Sequence, residues 1–170
     1  AQTMDSLTTG NYNVAIGVAA LQSIGDDSNN VAVGYRALYN STVSNNTAVG
    51  RDALYTNTTG TENVAVGQNS LYANTTAGEN TAVGYQALYN NTTGENNTAV
   101  GRKALLDVST GSYNSAFGRD AGFAITTGIK NTAIGRSAGN TTTTGDNNSS
   151  LGFNAQHPSA TSSNNVTLGD

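Results

Sequence analysis

The sequence has no cysteine and no tryptophan, and only one histidine, one proline and one methionine. Without cysteine there is no disulfide framework and no thiolate metal site. With a single histidine, His157 in "NAQHPSA", any Ser–His arrangement would hang on that residue alone. No acid or nucleophile matches it in the sequence, so it reads as a surface-loop residue beside Pro158. Charge is also scarce: 11% of residues are charged and the net charge is −4, which argues against nucleic-acid binding. No apolar run reaches membrane-spanning length, and no signal peptide is read. The opening "AQTMDSLTTGNYN" enters mid-pattern without an initial Met, as an imperfect coil of a longer protein would. Phosphate-binding G-x-x-x-x-G-K-[ST], a strand–GxGxxG–helix, an EF-hand loop and the calcium nonapeptide are all missing. Leu, Ile, Val and Phe make up 30 of the 170 residues, so composition alone points towards disorder.

What is there overrides that composition. A pentad N-x-A-x-G recurs through the whole chain, ending at Gly17, Gly34, Gly50, Gly67, Gly84, Gly101, Gly118, Gly135, Gly152 and Gly169. The steps between these glycines are 17, 16 and then 17 seven times. A stride of 17 is too short for a helical hairpin, which needs roughly thirty residues or more. It fits one coil of a parallel β-solenoid holding two short strands and two turns. Val, Thr and Ile alternate with Ala in the pentad, as in a half-buried strand. Asn, Thr and Gly fill the "NTTG" stretch, where a turn is needed. The expectation is one all-β domain over residues 1–170, about ten coils stacked into a rod of roughly 45–50 Å at about 4.8 Å per coil.

Stacking explains the recurring letters, because each residue lies above its counterpart in the coil below. The first pentad position is Asn in every copy, including Asn46, Asn63, Asn80, Asn97, Asn114 and Asn131. That suits left-handed backbone at a corner and a hydrogen-bonded structural ladder. The fifth position is always Gly, as positive φ or a close backbone approach requires. The third is Ala except at Ser150 and Thr167, so it is cramped. The fourth is always bulky and apolar, from Ile16 and Val33 to Leu151 and Leu168, and is expected to face a dry interior. A second row, small residue then Leu, includes Ala37–Leu38 and Ala87–Leu88. Behind it runs an aromatic row, Tyr39, Tyr55, Tyr72 and Tyr89, then Leu106 and Phe123.

These tyrosines are the one candidate surface ligand ladder: rings one coil apart could stack on sugars, although stacking on each other to cover the coil edge is favoured. Glu62, Glu79, Glu95 and Asp146 fall at one turn and read as solvated residues ahead of a cation site. Arg36, Arg51, Arg102, Lys103, Arg119 and Arg136 follow the pentad glycine as a sparse basic stripe, partly neutralised by Asp52 and Asp120. Asn-x-Thr sequons at Asn57 and Asn74 are better explained by stacking than by glycosylation. No catalytic residue, cofactor site or metal site emerges, and an enzyme is not expected. A glycan depolymerase on a β-helix would need carboxylates clustered in one groove. One thin coil buries too little apolar surface to offset the entropy of ordering alone, so a parallel homotrimer sharing an apolar seam along one face of the pentad strands is expected.

The pentads, with the x-x-A that follows, resemble the YadA-like head repeat of trimeric autotransporter adhesins. The longer phrase "NTAVGYQALYNNTTGENNTAVG" is similar to repeat regions of bacteriophage tail fibres and tail spikes, and "NAQHPSATSSNNVTLGD" resembles the segment that often closes such arrays. A self-cleaving intramolecular chaperone domain commonly follows there. The resemblance implies a left-handed β-roll that trimerises. It implies a structural segment of a virion tail fibre, a rigid extracellular spacer joined to neighbouring fibre domains, with host-receptor glycan attachment. The alternative is an adhesin head on a bacterial surface. Coils of 17 residues are longer than those usual in adhesin heads, and no heptad stalk or membrane anchor occurs, which favours the phage reading. Gly122, Gly139 and Gln156 replace Leu in the last coils, so the cross-section is expected to change there.

Overall fold

A computed structural model describes residues 9–169. The imperfect coil expected at the start of the chain lies mostly outside the described residues. Over the described residues the chain is a parallel β-solenoid of ten three-residue strands. They are β1 (Val14–Ile16), β2 (Val31–Val33), β3 (Thr47–Val49), β4 (Val64–Val66) and β5 (Thr81–Val83), followed by β6 (Thr98–Val100), β7 (Ser115–Phe117), β8 (Thr132–Ile134), β9 (Ser149–Leu151) and β10 (Val166–Leu168). Each pairs in parallel with the next, in the order β1 to β10. The register matches the repeat: Thr81, Ala82 and Val83 lie over Thr98, Ala99 and Val100. Gly84 and Gly101 are therefore direct neighbours, and a Cβ added to Gly84 would sit 2.5 Å from the Gly101 carbonyl oxygen. With φ at +137°, only glycine suits that site.

The 16-residue coil keeps this register. Thr42 alone occupies the outer turn where the next coil has Thr58 and Thr59. The columns are restored at once, because the Val43 carbonyl accepts from the side chain of Asn30 as the Gly60 carbonyl accepts from Asn46. The length difference falls where Thr58 and Thr59 are exposed, between the buried Asn57 and Gly60.

The structure departs from expectation in three ways. First, each coil holds one strand. The small–Leu row is a run of turns with left-handed backbone two and four residues after the glycine, as at Gln86 (φ 55°) and Leu88 (φ 51°). Its amides still bond the neighbouring coils: the Leu88 N–H donates to the Ala104 carbonyl at 3.0 Å. Left-handed residues coil the chain tightly enough to close the ring, which a second extended segment would overshoot. The strain at each Leu is offset by complete burial of its side chain. Second, the left-handed corner residue is the one before the pentad asparagine, such as Asn45, Glu62 or Glu79.

Third, the fourth pentad position points outwards. Second and fourth residues share a face in a strand, and the buried one is the Ala between them. Ala32, Ala48, Ala65, Ala82, Ala99 and Ala116 are fully buried. By contrast, Ile16, Val83, Phe117, Ile134, Leu151 and Leu168 are exposed. The interior is thin: two columns of small side chains packed against Leu21, Leu38, Leu54, Leu71, Leu88 and Leu105. Beside the Leu column one further inner column, holding Ile24, Val108 and Ile125 among polar residues, takes the remaining space, so the fourth-position side chains have no place inside.

Candidate functional site

The pentad asparagines form the ladder the sequence predicts, by a two-armed contact. From Asn13 to Asn148, each Oδ1 accepts the backbone N–H of the next pentad asparagine at 2.9–3.1 Å. Each Nδ2 donates to a turn carbonyl of that same next coil, as Asn80 does to Gly94 at 2.9 Å. A buried amide with both arms satisfied costs little and fixes the spacing of the corner. Threonine hydroxyls hold the outer turn in the same sense, with Thr58, Thr75 and Thr92 donating to carbonyls one coil on.

A second asparagine ladder lies inside the coil. Asn57, Asn74 and Asn91 are fully buried. Asn74 Nδ2 donates to Asn57 Oδ1 at 2.8 Å, and Asn91 Nδ2 to Asn74 Oδ1 at 3.1 Å. The column then turns apolar at Val108 and Ile125, so Asn91 Oδ1 has no partner. The sequon asparagines Asn57 and Asn74 are thus unavailable for glycosylation in the folded chain.

The candidate tyrosine ladder is present as a continuous stack. Ring centroids of Tyr39, Tyr55, Tyr72 and Tyr89 lie 5.2–5.4 Å apart with interplanar angles of 7–23°. The faces of the inner rings are occupied by each other, so a flat sugar could stack only at an end of the run.

The basic stripe divides into two unequal clusters. Asp52, whose side chain is buried, takes Arg36 Nε at 2.8 Å and Arg51 Nε at 3.0 Å. The Arg36 guanidinium also lies 4.8 Å from the Tyr35 ring centre and 4.6 Å from that of Tyr55. The hydrogen bond to Asp52 raises the pKa of Arg36 above its ordinary value. The second cluster is looser: Asp120 takes Arg119 Nε at 2.9 Å, but Arg102 only at 3.7 Å. Both of those arginines are about half exposed. The turn carboxylates Glu62, Glu79 and Glu95 fall in successive coils just before the pentad asparagine, with Asp146 three coils further on. Among the described residues no group of three or more metal-ligating side chains gathers.

His157 is buried, which corrects the surface-loop expectation. Its Nε2 lies 2.7 Å from Ser150 Oγ and its Nδ1 3.0 Å from Thr167 Oγ1. Ser150 and Thr167 are the two departures from the Ala column, so three anomalies of the sequence form one hydrogen-bonded group. Room for it comes from Gly139, whose missing Cβ would stand 3.1 Å from Ser150 Oγ. Burial lowers the pKa of His157 from its ordinary value. The Ser–His distance is that of a nucleophile and its base, yet Ser150 is sealed in the interior and the far ring nitrogen meets a hydroxyl. The arrangement fills the coil and offers no approach to a carbonyl substrate. Along the chain the lone histidine and the two broken Ala positions look unrelated. The signal was there, since all three fall within the last two coils.

No helix among the described residues is long and apolar enough to cross a membrane. No family model, curated protein or solved structure matches the chain.

Proposed function

We propose that the chain is a structural segment of a bacteriophage tail fibre: three parallel copies, wound as left-handed β-rolls, bundled into a rigid extracellular spacer that also attaches to a host glycan. One observation carries this reading. The outward column at the fourth pentad position is apolar in every coil and exposed at both ends and in several coils between. A single chain gains nothing from ten stacked Val, Ile, Phe and Leu side chains facing water, and an unbroken apolar stripe of this length is a contact surface. Copies of the same chain are the natural occupant. Their stripes have the same length and the same pitch, and three of them would enclose a dry seam along the rod. The thin interior supports this too, because small stacked cores are commonly completed by association.

Light scattering on the purified chain tests the assembly, with an expected mass three times the 17.3 kDa of one chain. Val66→Lys with Val100→Lys should reduce that mass to one chain. A folded wild-type monomer overturns the reading. The parent gene decides the biology: a downstream chaperone domain supports the fibre, while a C-terminal membrane β-barrel turns the reading to a bacterial adhesin.

A further inference from the structure

The position after the pentad glycine forms a column whose occupants change along the rod: Tyr85, Arg102, Arg119, Arg136, Phe153. Backbone bonds hold these five directly over one another. The N–H of Lys103 donates to the Tyr85 carbonyl, that of Asp120 to Arg102, that of Ser137 to Arg119 and that of Asn154 to Arg136, at 2.9–3.0 Å. Three arginines therefore stand in successive coils about 4.8 Å apart, bracketed by two exposed rings. Arg102 lies 5.8 Å from the centre of the Tyr85 ring and Arg136 5.6 Å from that of Phe153.

Like charges in adjacent coils repel, and the fold does not need them, because the same column holds Val18 and Gln68 elsewhere. Counter-charge is short. Asp120 serves Arg102 and Arg119 together, and Arg136 pairs with no carboxylate among the described residues. Lys103 adds a further cation beside Arg102. In a chain of net charge −4, this is a local excess of positive charge on an exposed edge.

We propose that the column Tyr85–Arg102–Arg119–Arg136–Phe153 binds an acidic polysaccharide laid along the rod, with acid groups on the arginines and sugar rings against the two aromatic ends. The proposal rests on the fibre reading and names the ligand of its attachment role. A guanidinium fork matches a carboxylate or sulfate, and a chain of pyranose units advances along its axis by nearly the distance separating these coils. Exposed Tyr and Phe faces offer apolar platforms for a sugar ring. The column is an open edge with no enclosing walls, which suits a polymer better than a monosaccharide. A nucleic acid fits less well. Single strands bind by stacking successive bases on neighbouring aromatic platforms, and here three arginines separate the two rings.

Biolayer interferometry with the full chain tests this against polygalacturonate, carboxyl-reduced polygalacturonate, dextran sulfate and oligo(dT). Binding to polygalacturonate or dextran sulfate is expected, weakened by salt, and whichever binds assigns the acid group. Arg119→Gln with Arg136→Gln should weaken it about tenfold or more, while Arg51→Gln, outside the run of three arginines and paired to the buried Asp52 carboxylate, should leave it within about twofold. Thermal melting of the double variant, expected to match wild type, controls for folding. Equal binding by the carboxyl-reduced polymer, tighter binding by oligo(dT), no binding by either acidic polymer, or undiminished binding by the double variant overturns the proposal. Light scattering on the same samples separates the two readings. A trimer without binding sinks only the ligand, and a monomer that binds sinks only the trimer.

Discussion

Between Gly50 and Gly101 each coil repeats its neighbour, whereas between Gly118 and Gly169 several columns change together. The middle coils combine a buried Leu with a buried Asn three residues later: Leu54 with Asn57, Leu71 with Asn74, Leu88 with Asn91. Beyond them Leu105 meets Val108, Gly122 meets Ile125 and Gly139 meets Thr142. A Cβ at Gly122 would touch Leu105 Cδ2 at 2.7 Å and Ile125 Cδ1 at 3.1 Å, so these two side chains fill the space a leucine would have occupied. Gly122 and Gly139 also keep the left-handed φ of the Leu column, at 58° and 57°. The backbone coil is therefore conserved while its filling is exchanged in matched pairs. A solenoid tolerates a changed residue where the column next to it compensates.

The comparison is broken most severely at the pentad glycines. Gly84→Ala drives a methyl into the Gly101 backbone and should cost about 3–5 kcal/mol in a thermal or denaturant melt. Gly152→Ala should cost distinctly less, because its nearest contacts to Gly169 are 3.1 Å away. Equal losses would mean that the last coil is stacked as tightly as the middle. Next comes the inner asparagine ladder. Asn74→Val removes a donor from Asn57 Oδ1 and from the Ala77 carbonyl and leaves Asn91 Nδ2 without one acceptor, for a loss of about 2–3 kcal/mol. Asn91→Val should be milder, since its Oδ1 is already unpartnered and Val108 lies beyond it.

Smaller effects follow. Tyr72→Leu interrupts the ring stack where later coils already hold Leu106 in the same column, and should cost about 0.5–1.5 kcal/mol. His157 should make the C-terminal coils sensitive to acid. Its folded pKa lies below the ordinary value of 6.5, so the unfolded chain binds the proton more readily. The contribution is complete above pH 6.5 and declines as pH falls from there towards the folded pKa. Melting midpoints at neutral and mildly acidic pH should differ for wild type and differ less for His157→Gln.

Much of the fold was legible because stacking writes one environment many times. The register, the Ala and Gly columns and the asparagine ladder all follow from equal stride. The direction of the fourth column was not legible. Val33 or Val83 looks the same to a hydropathy reading whether it fills a coil or a seam between chains, and only the width of the coil decides. Left-handed backbone at Leu38 or Leu88 was hidden because leucine rarely signals it. Gly122 and Gly139, in that same column, were the clue. His157 was misplaced because its partners, Ser150 and Thr167, lie in neighbouring coils, and a histidine beside a proline looks like a loop when read only along the chain.

The two-armed asparagine has a directional consequence. From Asn13 to Asn148 each side-chain amide reaches towards the following coil, offering an acceptor to its N–H and a donor to its turn carbonyl, although Asn114, Asn131 and Asn165 also donate back to the asparagine before them. A rod severed anywhere would present free amides on one cut face and bare corner N–H and C=O groups on the other. Those faces complement each other but not themselves, so exposed ends would join head to tail into filaments. Such a rod needs a different stopper at each end.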